Sequence, residues 1–282
     1  MTTLEQALQN TARRLAVKGI ETAGLDASLL VQVAAGCSRL ELILNGDEAL
    51  GDDAIAKLEE LVLRREKREP LAYILGEKEF WGLTFKVTPD VLVPRPDTET
   101  LIAVVLNLLP DRQMPIKFAD IGVGSGAIIL SLLSEFPQAQ AYGVDISAKA
   151  LDVAWQNGER LGIADRVTWI EGDGAAALPE TVSLIVSNPP YISEAEYEKL
   201  QLDVKNHEPQ LALLAGEEGL DVYRSLIPQA YDKLHSGGLL VLEIGHKQQQ
   251  AVRKLLKEKE WQDVTCYQDL AGRDRVLAAI RR

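Results

Sequence analysis

Over the first 75 positions, apolar residues recur at helical spacing. Leu4, Leu8, Ala12, Leu15 and Ala16 form one stripe, and DASLLVQVAA (26–35) and DDAIAKLEELVLRREKR (52–68) continue the pattern. Asp26 and Asp52 stand where N-caps are expected. No alternating pattern interrupts this stretch, so residues 1–75 are expected to form a small helical bundle. From Glu77 to Val93 the period changes. KEFWGLTFKV reads as two short strands about Gly82, and Pro89, Pro94 and Pro96 forbid a helix. Residues 76–96 are therefore expected to be a β-hairpin linker. DTETLIAVVLNLL then returns to helical spacing, with Asp97 or Thr98 as its cap.

From residue 116 onward, strands and helices alternate. IKFADI, QAYGVD, VTWIEG, SLIVSN and GGLLVLEIG read as strands. GAIILSLLSEF, SAKALDVAWQNGERLG, GLDVYRSLIPQAYDKL and KQQQAVRKLLKEK read as helices. Such alternation predicts a parallel sheet with helices on both faces. DVTCYQDL and RVLAAI close the chain with no helix between them, so the last strand is expected to enter antiparallel. Residues 97–282 make up this α/β domain.

Composition narrows the chemistry. The chain has 282 residues, 46% hydrophobic and 26% charged, with a formal charge of −12. That charge disfavours a grip on a nucleic-acid backbone, which relies on Lys and Arg. The first 75 residues carry 9 Lys and Arg against 12 Asp and Glu, so they are no basic reading module. No run approaches the roughly 18 apolar residues of a membrane span. The N-terminus carries Glu5 in place of a basic region, so no signal peptide is expected. Cys37 and Cys266 are far apart, and the three histidines form no ligand cluster. A cytoplasmic protein with reduced thiols and no metal follows.

Two turns carry the candidate chemistry. ADIGVGSGAIIL places Gly122, Val123, Gly124, Ser125 and Gly126 between the first strand of the α/β domain and its helix. Glycines there permit a tight turn and close ligand approach at a helix N-terminus. Asp145 ends the second strand, where a carboxylate can accept hydrogen bonds from both ribose hydroxyls. Three details favour S-adenosyl-L-methionine over a dinucleotide. The spacing is G-x-G-x-G rather than G-x-G-x-x-G. Asp120 precedes the loop, where it could meet an α-ammonium but would repel a pyrophosphate. EGDGAA (171–176) ends the third strand, with Asp173 within reach of an adenine amine. The plainer alternative is that the glycines serve packing alone.

The second turn is Asn188-Pro189-Pro190-Tyr191, at the carboxyl end of the fourth strand, where open α/β sheets bind ligands. A planar –NH2 acceptor is a weak nucleophile. The Asn188 side-chain oxygen and the Pro189 backbone carbonyl can hold its two N–H bonds and aim its nitrogen. The prolines keep that carbonyl fixed, and Tyr191 can stack on the acceptor. Transfer needs the nitrogen about 3 Å from the methyl carbon and in line with the breaking bond. The plainer alternative is a rigid turn with a buried aromatic.

With both turns in place, the sequence resembles the release-factor glutamine N5-methyltransferase family (HemK/PrmC-like). The resemblance extends to EPLAYILGEKEFWGLTFKVTPDVLVPRPDTE (69–99), EPQLALLAGEEGLDVYR (208–224) and LEIGHKQ (242–248), and is weakest over the first 60 residues. It implies a Rossmann-like class I methyltransferase domain with a mostly parallel seven-stranded sheet, preceded by a helical substrate-docking domain. It implies S-adenosyl-L-methionine held by Gly122–Gly126 and Asp145, with Asp173, Gly174 and Asn188 beside it. It implies a glutamine side chain held by Asn188, Pro189, Pro190 and Tyr191. The implied substrate is the glutamine of the Gly-Gly-Gln motif in class 1 peptide-chain release factors, methylated by a cytoplasmic monomer that binds neither nucleic acid nor membrane. Gly174 departs from a bulky aromatic that relatives carry beside the cofactor.

The remaining conspicuous residues have plainer readings. Phe80, Trp81 and Phe85 either line the acceptor site or pack against the adjoining domain. Arg95 pairs with an acid of the fold or guides the cofactor carboxylate. RREKRE (64–69) reads as a solvated helix face, and His207, His235 and His246 are given no role. The rival functions are a DNA or RNA adenine-N6 methyltransferase, a cofactor-binding assembly partner, and a nicotinamide oxidoreductase.

Overall fold

A computed structural model describes residues 1–282, which divide into two units: Met1–Gly76 with Gln201–His207, and Glu77–Leu200 with Glu208–Arg282. The first unit is helical. It holds α1 (Leu4–Val17), α2 (Ala23–Ala35), α3 (Arg39–Leu44), α4 (Asp52–Glu66) and α5 (Leu71–Leu75), joined by α10 (Leu202–His207) from later in the chain. Leu4, Leu15, Leu30, Val31, Leu58, Leu61 and Val62 form its core.

The caps differ from expectation. Asp26 lies inside α2, and Gly51 rather than Asp52 caps α4. Thr3 and Ser38 instead form capping boxes, each accepting the N–H of the residue three further on, Gln6 and Glu41, whose side chain reaches back. Asp26 is buried because Arg65 meets it at 2.7 Å. Arg65 also binds Asp203 of α10 at 2.7 Å. RREKRE is therefore not a uniformly solvated face. Arg65 falls on the buried stripe of α4 with Leu58, Leu61 and Val62, and a buried charge is tolerated only with such partners.

The second unit opens with the hairpin β1 (Glu77–Phe80) and β2 (Leu83–Lys86), antiparallel as expected. Phe80 and Phe85 pack edge to face at 6.2 Å between centroids and are fully buried. A short 3-10 turn, Pro96–Thr98, leads into α6 (Glu99–Leu108); neither Asp97 nor Thr98 caps it through a side-chain bond. The alternation then follows: β3 (Lys117–Ile121), α7 (Ala127–Glu135), β4 (Gln140–Asp145), α8 (Ala148–Leu161), β5 (Val167–Glu171) and β6 (Val182–Ser187). The segment after β6 holds a short α9 (Glu194–Tyr197). Then come α11 (Asp221–Lys233), β7 (Leu234–Glu243), α12 (Gln249–Leu255), β8 (Trp261–Gln268) and β9 (Asp274–Arg281).

The seven-stranded sheet has the order β5-β4-β3-β6-β7-β9-β8. β3 to β7 pair in parallel, and β9 enters antiparallel to both β7 and β8. The central strands are apolar on both faces because helices cover both. Phe118 joins one core with Ile129, Leu101 and Phe85; Ala119 joins the other with Tyr223, Ile227 and Trp261. Chain order reverses between β3 and β6. At such a switch point the carboxyl ends of two strands diverge and leave a crevice. No helix is long and apolar enough to cross a membrane.

Candidate active site

The crevice is a cavity of about 460 Å³, within the range of small-molecule sites. Gly122, Val123, Gly124 and Ser125 line one side. Asp145, Asp173 and Gly174 line the next strand ends, and Asn188, Pro189 and Pro190 face them. Ten of the expected site residues thus line one cavity. Gly126 and Tyr191 stand apart from it.

The glycine loop is shaped by backbone demands. Gly122, Gly124 and Gly126 have φ of +77°, +54° and +81°, a region that costs other residues about 1–2 kcal/mol. The space beside Gly122 and Gly124 is open, so their backbone is approachable. Gly126 serves packing: a Cβ there would meet Leu130 at 3.0 Å and Ala154 at 3.3 Å. Behind the loop, Asn157 is fully buried and its amide is a staple. Its Nδ2 donates to the Ser125 carbonyl at 2.8 Å and to the Lys86 carbonyl at 2.9 Å, while its Oδ1 accepts the Lys86 N–H at 2.7 Å.

Asp145 works in two directions. Its Oδ2 accepts the Gly124 N–H and its Oδ1 the Ser147 N–H, both at 2.9 Å. It also lines the cavity. Burial raises its pKa, and the backbone N–H groups oppose that rise. Asp120 departs from expectation. It is completely buried, is absent from the cavity wall, and uses Oδ2 to accept the Ile129 N–H at 3.2 Å. Its Oδ1 has no partner, and burial pushes its pKa well up. Gly174, at φ +72°, is required: a Cβ there would sit 2.2 Å from Gln229 Oε1. That Gln229 oxygen accepts the Ala176 N–H, so Gln229 occupies the ground on which an aromatic at 174 would encroach.

The Asn-Pro-Pro-Tyr turn is also held from behind. Gln248 donates to the Tyr191 carbonyl at 2.9 Å and the Gly219 carbonyl at 3.1 Å, and accepts the Gly245 N–H at 3.0 Å. A Cβ at Gly219 would lie 2.4 Å from the Tyr191 carbonyl oxygen. The Tyr191 ring packs into the core with Tyr223 and Leu226 rather than lining the cavity. Burial, then the charge of Glu243, pushes its phenol up to about 12. Glu243 ends β7 and is buried; burial raises it to about 7, against the Thr98 and Tyr191 hydroxyls and Arg275. Its Oε2 is left without a close partner.

Several wall residues were missed by sequence reasoning. Thr98 accepts no backbone N–H of α6 and instead accepts from Asn188 Nδ2 at 3.2 Å. Ile146 and Leu211 line the cavity and are exposed. The position of Ile146, directly after the strand-ending Asp145, was a signal for it; Leu211 had none. Phe80 both packs in the core and lines the cavity, while Trp81 Nε1 donates to Glu135 at 2.8 Å. Arg95 lines the cavity and pairs with buried Glu208, whose Oε2 also accepts the Val93 N–H.

Comparison with known proteins agrees with this geometry. A family model described as the PrmC N-terminal domain matches residues 6–76, and one described as the methyltransferase small domain matches residues 96–204. A protein of Moorella thermoacetica named release factor glutamine methyltransferase is 44% identical over 282 residues, covering 99% of each chain. One of Caulobacter vibrioides with the same name is 39% identical over 280 residues, covering 99% of this chain and 96% of its own. Among solved structures, the hMettl16 catalytic domain in complex with the MAT2A 3'UTR hairpin 6 superposes with a TM-score of 0.57 at 17% identity, over 81% of each chain. A T. thermophilus 16S rRNA methyltransferase in complex with AdoMet and guanosine gives 0.53 at 20% identity, over 73% of this chain and 50% of that one. At such identity these structures speak for the class I methyltransferase fold alone.

Proposed function

The chain belongs to the release factor glutamine methyltransferase family, and on that premise we propose that it methylates the side-chain amide nitrogen (N5) of the glutamine in the Gly-Gly-Gln motif of class 1 release factors. One observation carries the reading: Asn188 and Pro189 share a cavity with the glycine loop and Asp145, and Asn188 Oδ1 takes no hydrogen bond from the chain.

S-adenosyl-L-methionine is the cofactor, and the residues fit it. Gly122 and Gly124 leave their backbone open, Asp145 turns a carboxylate to the cavity for the ribose, and Asp120 keeps one buried oxygen unpaired beneath the loop. Asp173 and Gly174 bound the adenine end. When bound, the cofactor supplies an electrophilic methyl group on a sulfonium.

The chain's own task is to aim a poor nucleophile. Asn188 Oδ1 accepts one N–H of the glutamine amide and the Pro189 carbonyl accepts the other. Pro189 and Pro190 hold that carbonyl by fixing two φ angles, and Pro190 shapes the wall beside it. Tyr191 supports the turn from behind and does not stack on the substrate. The nitrogen's surplus proton leaves to water, since no basic side chain in the turn is placed to take it. Such preorganisation brings the reacting atoms to near-attack distance.

The helical unit is read as the docking surface for the protein substrate, in a cytoplasmic monomer that does not engage nucleic acid. The test offers labelled S-adenosyl-L-methionine with a release factor, the same factor with its Gly-Gly-Gln glutamine changed to alanine, or duplex DNA. Label on the intact factor alone is expected. Label on DNA would transfer the reading to adenine N6, and label on the alanine variant would move the acceptor elsewhere.

A further inference from the structure

The proposed chemistry demands one orientation of the Asn188 carboxamide. With Oδ1 toward the cavity, the side chain accepts from an –NH2 group. Rotated by half a turn, it would present Nδ2, a donor, and repel the same group. Nothing in the Asn-Pro-Pro-Tyr turn itself selects between these. The selection comes from another element. Thr98 is 4% exposed, at the junction of the 3-10 turn and α6. A threonine there ordinarily caps the helix with its hydroxyl. Here the hydroxyl makes no cap bond and accepts from Asn188 Nδ2 at 3.2 Å.

A hydroxyl can accept from Asn188 while donating its single hydrogen elsewhere. The group it faces is Glu243, the buried carboxylate at the end of β7, with Arg275 and Asp97 also near that carboxylate and the hydroxyl of Tyr191 beside it. A carboxyl oxygen that carries no hydrogen accepts, whichever protonation state the group is in. It therefore draws the Thr98 hydrogen toward itself and leaves the Thr98 oxygen as an acceptor for Asn188. The polarity runs in one direction, from carboxylate to hydroxyl to carboxamide to cavity. Chains of this kind strengthen each member and are costly to break when buried.

We propose that Thr98 is a positioning residue, whose buried hydroxyl turns Asn188 Nδ2 inward and Oδ1 toward the acceptor and so sets the site to recognise an N–H donor. The inference rests on the amide-acceptor reading above and adds the residue that orients it. It also accounts for the PRPDTE stretch reaching the reaction site from outside the sheet.

Thr98→Val keeps the shape and removes the hydroxyl; Thr98→Ser keeps the hydroxyl. Two readouts on the full chain separate the outcomes. The first is turnover on a release factor, with cofactor affinity by calorimetry and folding by thermal melting. Thr98→Val is expected to lower kcat by at least about tenfold while cofactor affinity stays within about twofold, and Thr98→Ser to recover most of the loss. The second is the nitrogen-15 signal of the Asn188 side-chain amide, assigned by its disappearance in Asn188→Asp. One of its two protons should exchange slowly in wild type and in Thr98→Ser, and rapidly in Thr98→Val. Wild-type kcat in a folded Thr98→Val protein, or unchanged amide exchange, overturns the proposal. If wild-type protein left release factors unlabelled while the amide proton remained protected by Thr98, the function would fall and the orientation would stand.

Discussion

The glycine loop and the Asn-Pro-Pro-Tyr turn sit at the ends of adjacent strands, β3 and β6, and achieve rigidity by opposite means. The loop uses the most permissive residue: Gly122, Gly124 and Gly126 adopt a backbone that side chains resist. The other turn uses the least permissive one, twice. Yet each is stapled from behind by a single carboxamide, Asn157 under Ser125 and Gln248 under Tyr191. Each also has a carboxylate behind it whose pKa burial raises, half-buried Asp145 and buried Glu243. Local stiffness is therefore insufficient in both cases. The turn must also be fixed to the sheet, because both proposed tasks require atoms placed to a fraction of an ångström.

If the two turns divide the work between cofactor and acceptor, variants should separate binding from turnover. The largest effect is expected from Asn188→Ala. It should cost roughly 2–4 kcal/mol in kcat while cofactor affinity holds; wild-type turnover would remove Asn188 from the reaction.

The staples come next. Asn157→Ala leaves two carbonyls and one N–H unpaired and should lower stability by roughly 2–4 kcal/mol, weakening cofactor binding with it. Gln248→Ala should cost roughly 1–3 kcal/mol of stability and act on kcat instead. Chemical denaturation and calorimetry measure both, and equal effects of both variants on cofactor affinity would erase the distinction.

Glu243 sharpens the comparison through pH. Its folded pKa, about 7, lies above the ordinary glutamate value of 4.5, so the folded chain favours the protonated form. That stability is fully present below pH 4.5 and is lost as pH rises through 7. Wild-type unfolding free energy should fall by roughly 2–3 kcal/mol from this group between pH 5 and 8, and Glu243→Gln should flatten the profile. Identical profiles for the two proteins would show that Glu243 ionises freely in the fold. The smallest effect is expected for Asp145→Ala, a loss of roughly 1.5–2 kcal/mol in cofactor affinity with saturated kcat largely spared. An unchanged dissociation constant would refute the ribose role.

Much of this was legible in the sequence because it is local. Helical and alternating periods mark elements whose residues are near neighbours in the chain. The strands from KFADI to RVLAAI, the hairpin about Gly82 and the two turns all follow from spacing and from Gly and Pro, whose backbone limits travel with the residue. A short carboxylate suits a cap and an ion pair equally, and only Arg65, 39 residues on, decides which Asp26 becomes; Asp52 lies one position past the cap, as the first residue of α4 after Gly51. Thr98 does hold the N-cap position of α6, but Asn188, 90 residues away, claims its hydroxyl. The sequence by itself determined which residue types stand at which strand ends, and so the class of chemistry. Only the tertiary structure decided which of them face the cavity: Asp120 and Tyr191 turn into the core while Thr98, Ile146 and Leu211 reach the wall. The direction of a side chain at a strand end depends on what packs behind it, and those neighbours come from distant parts of the chain.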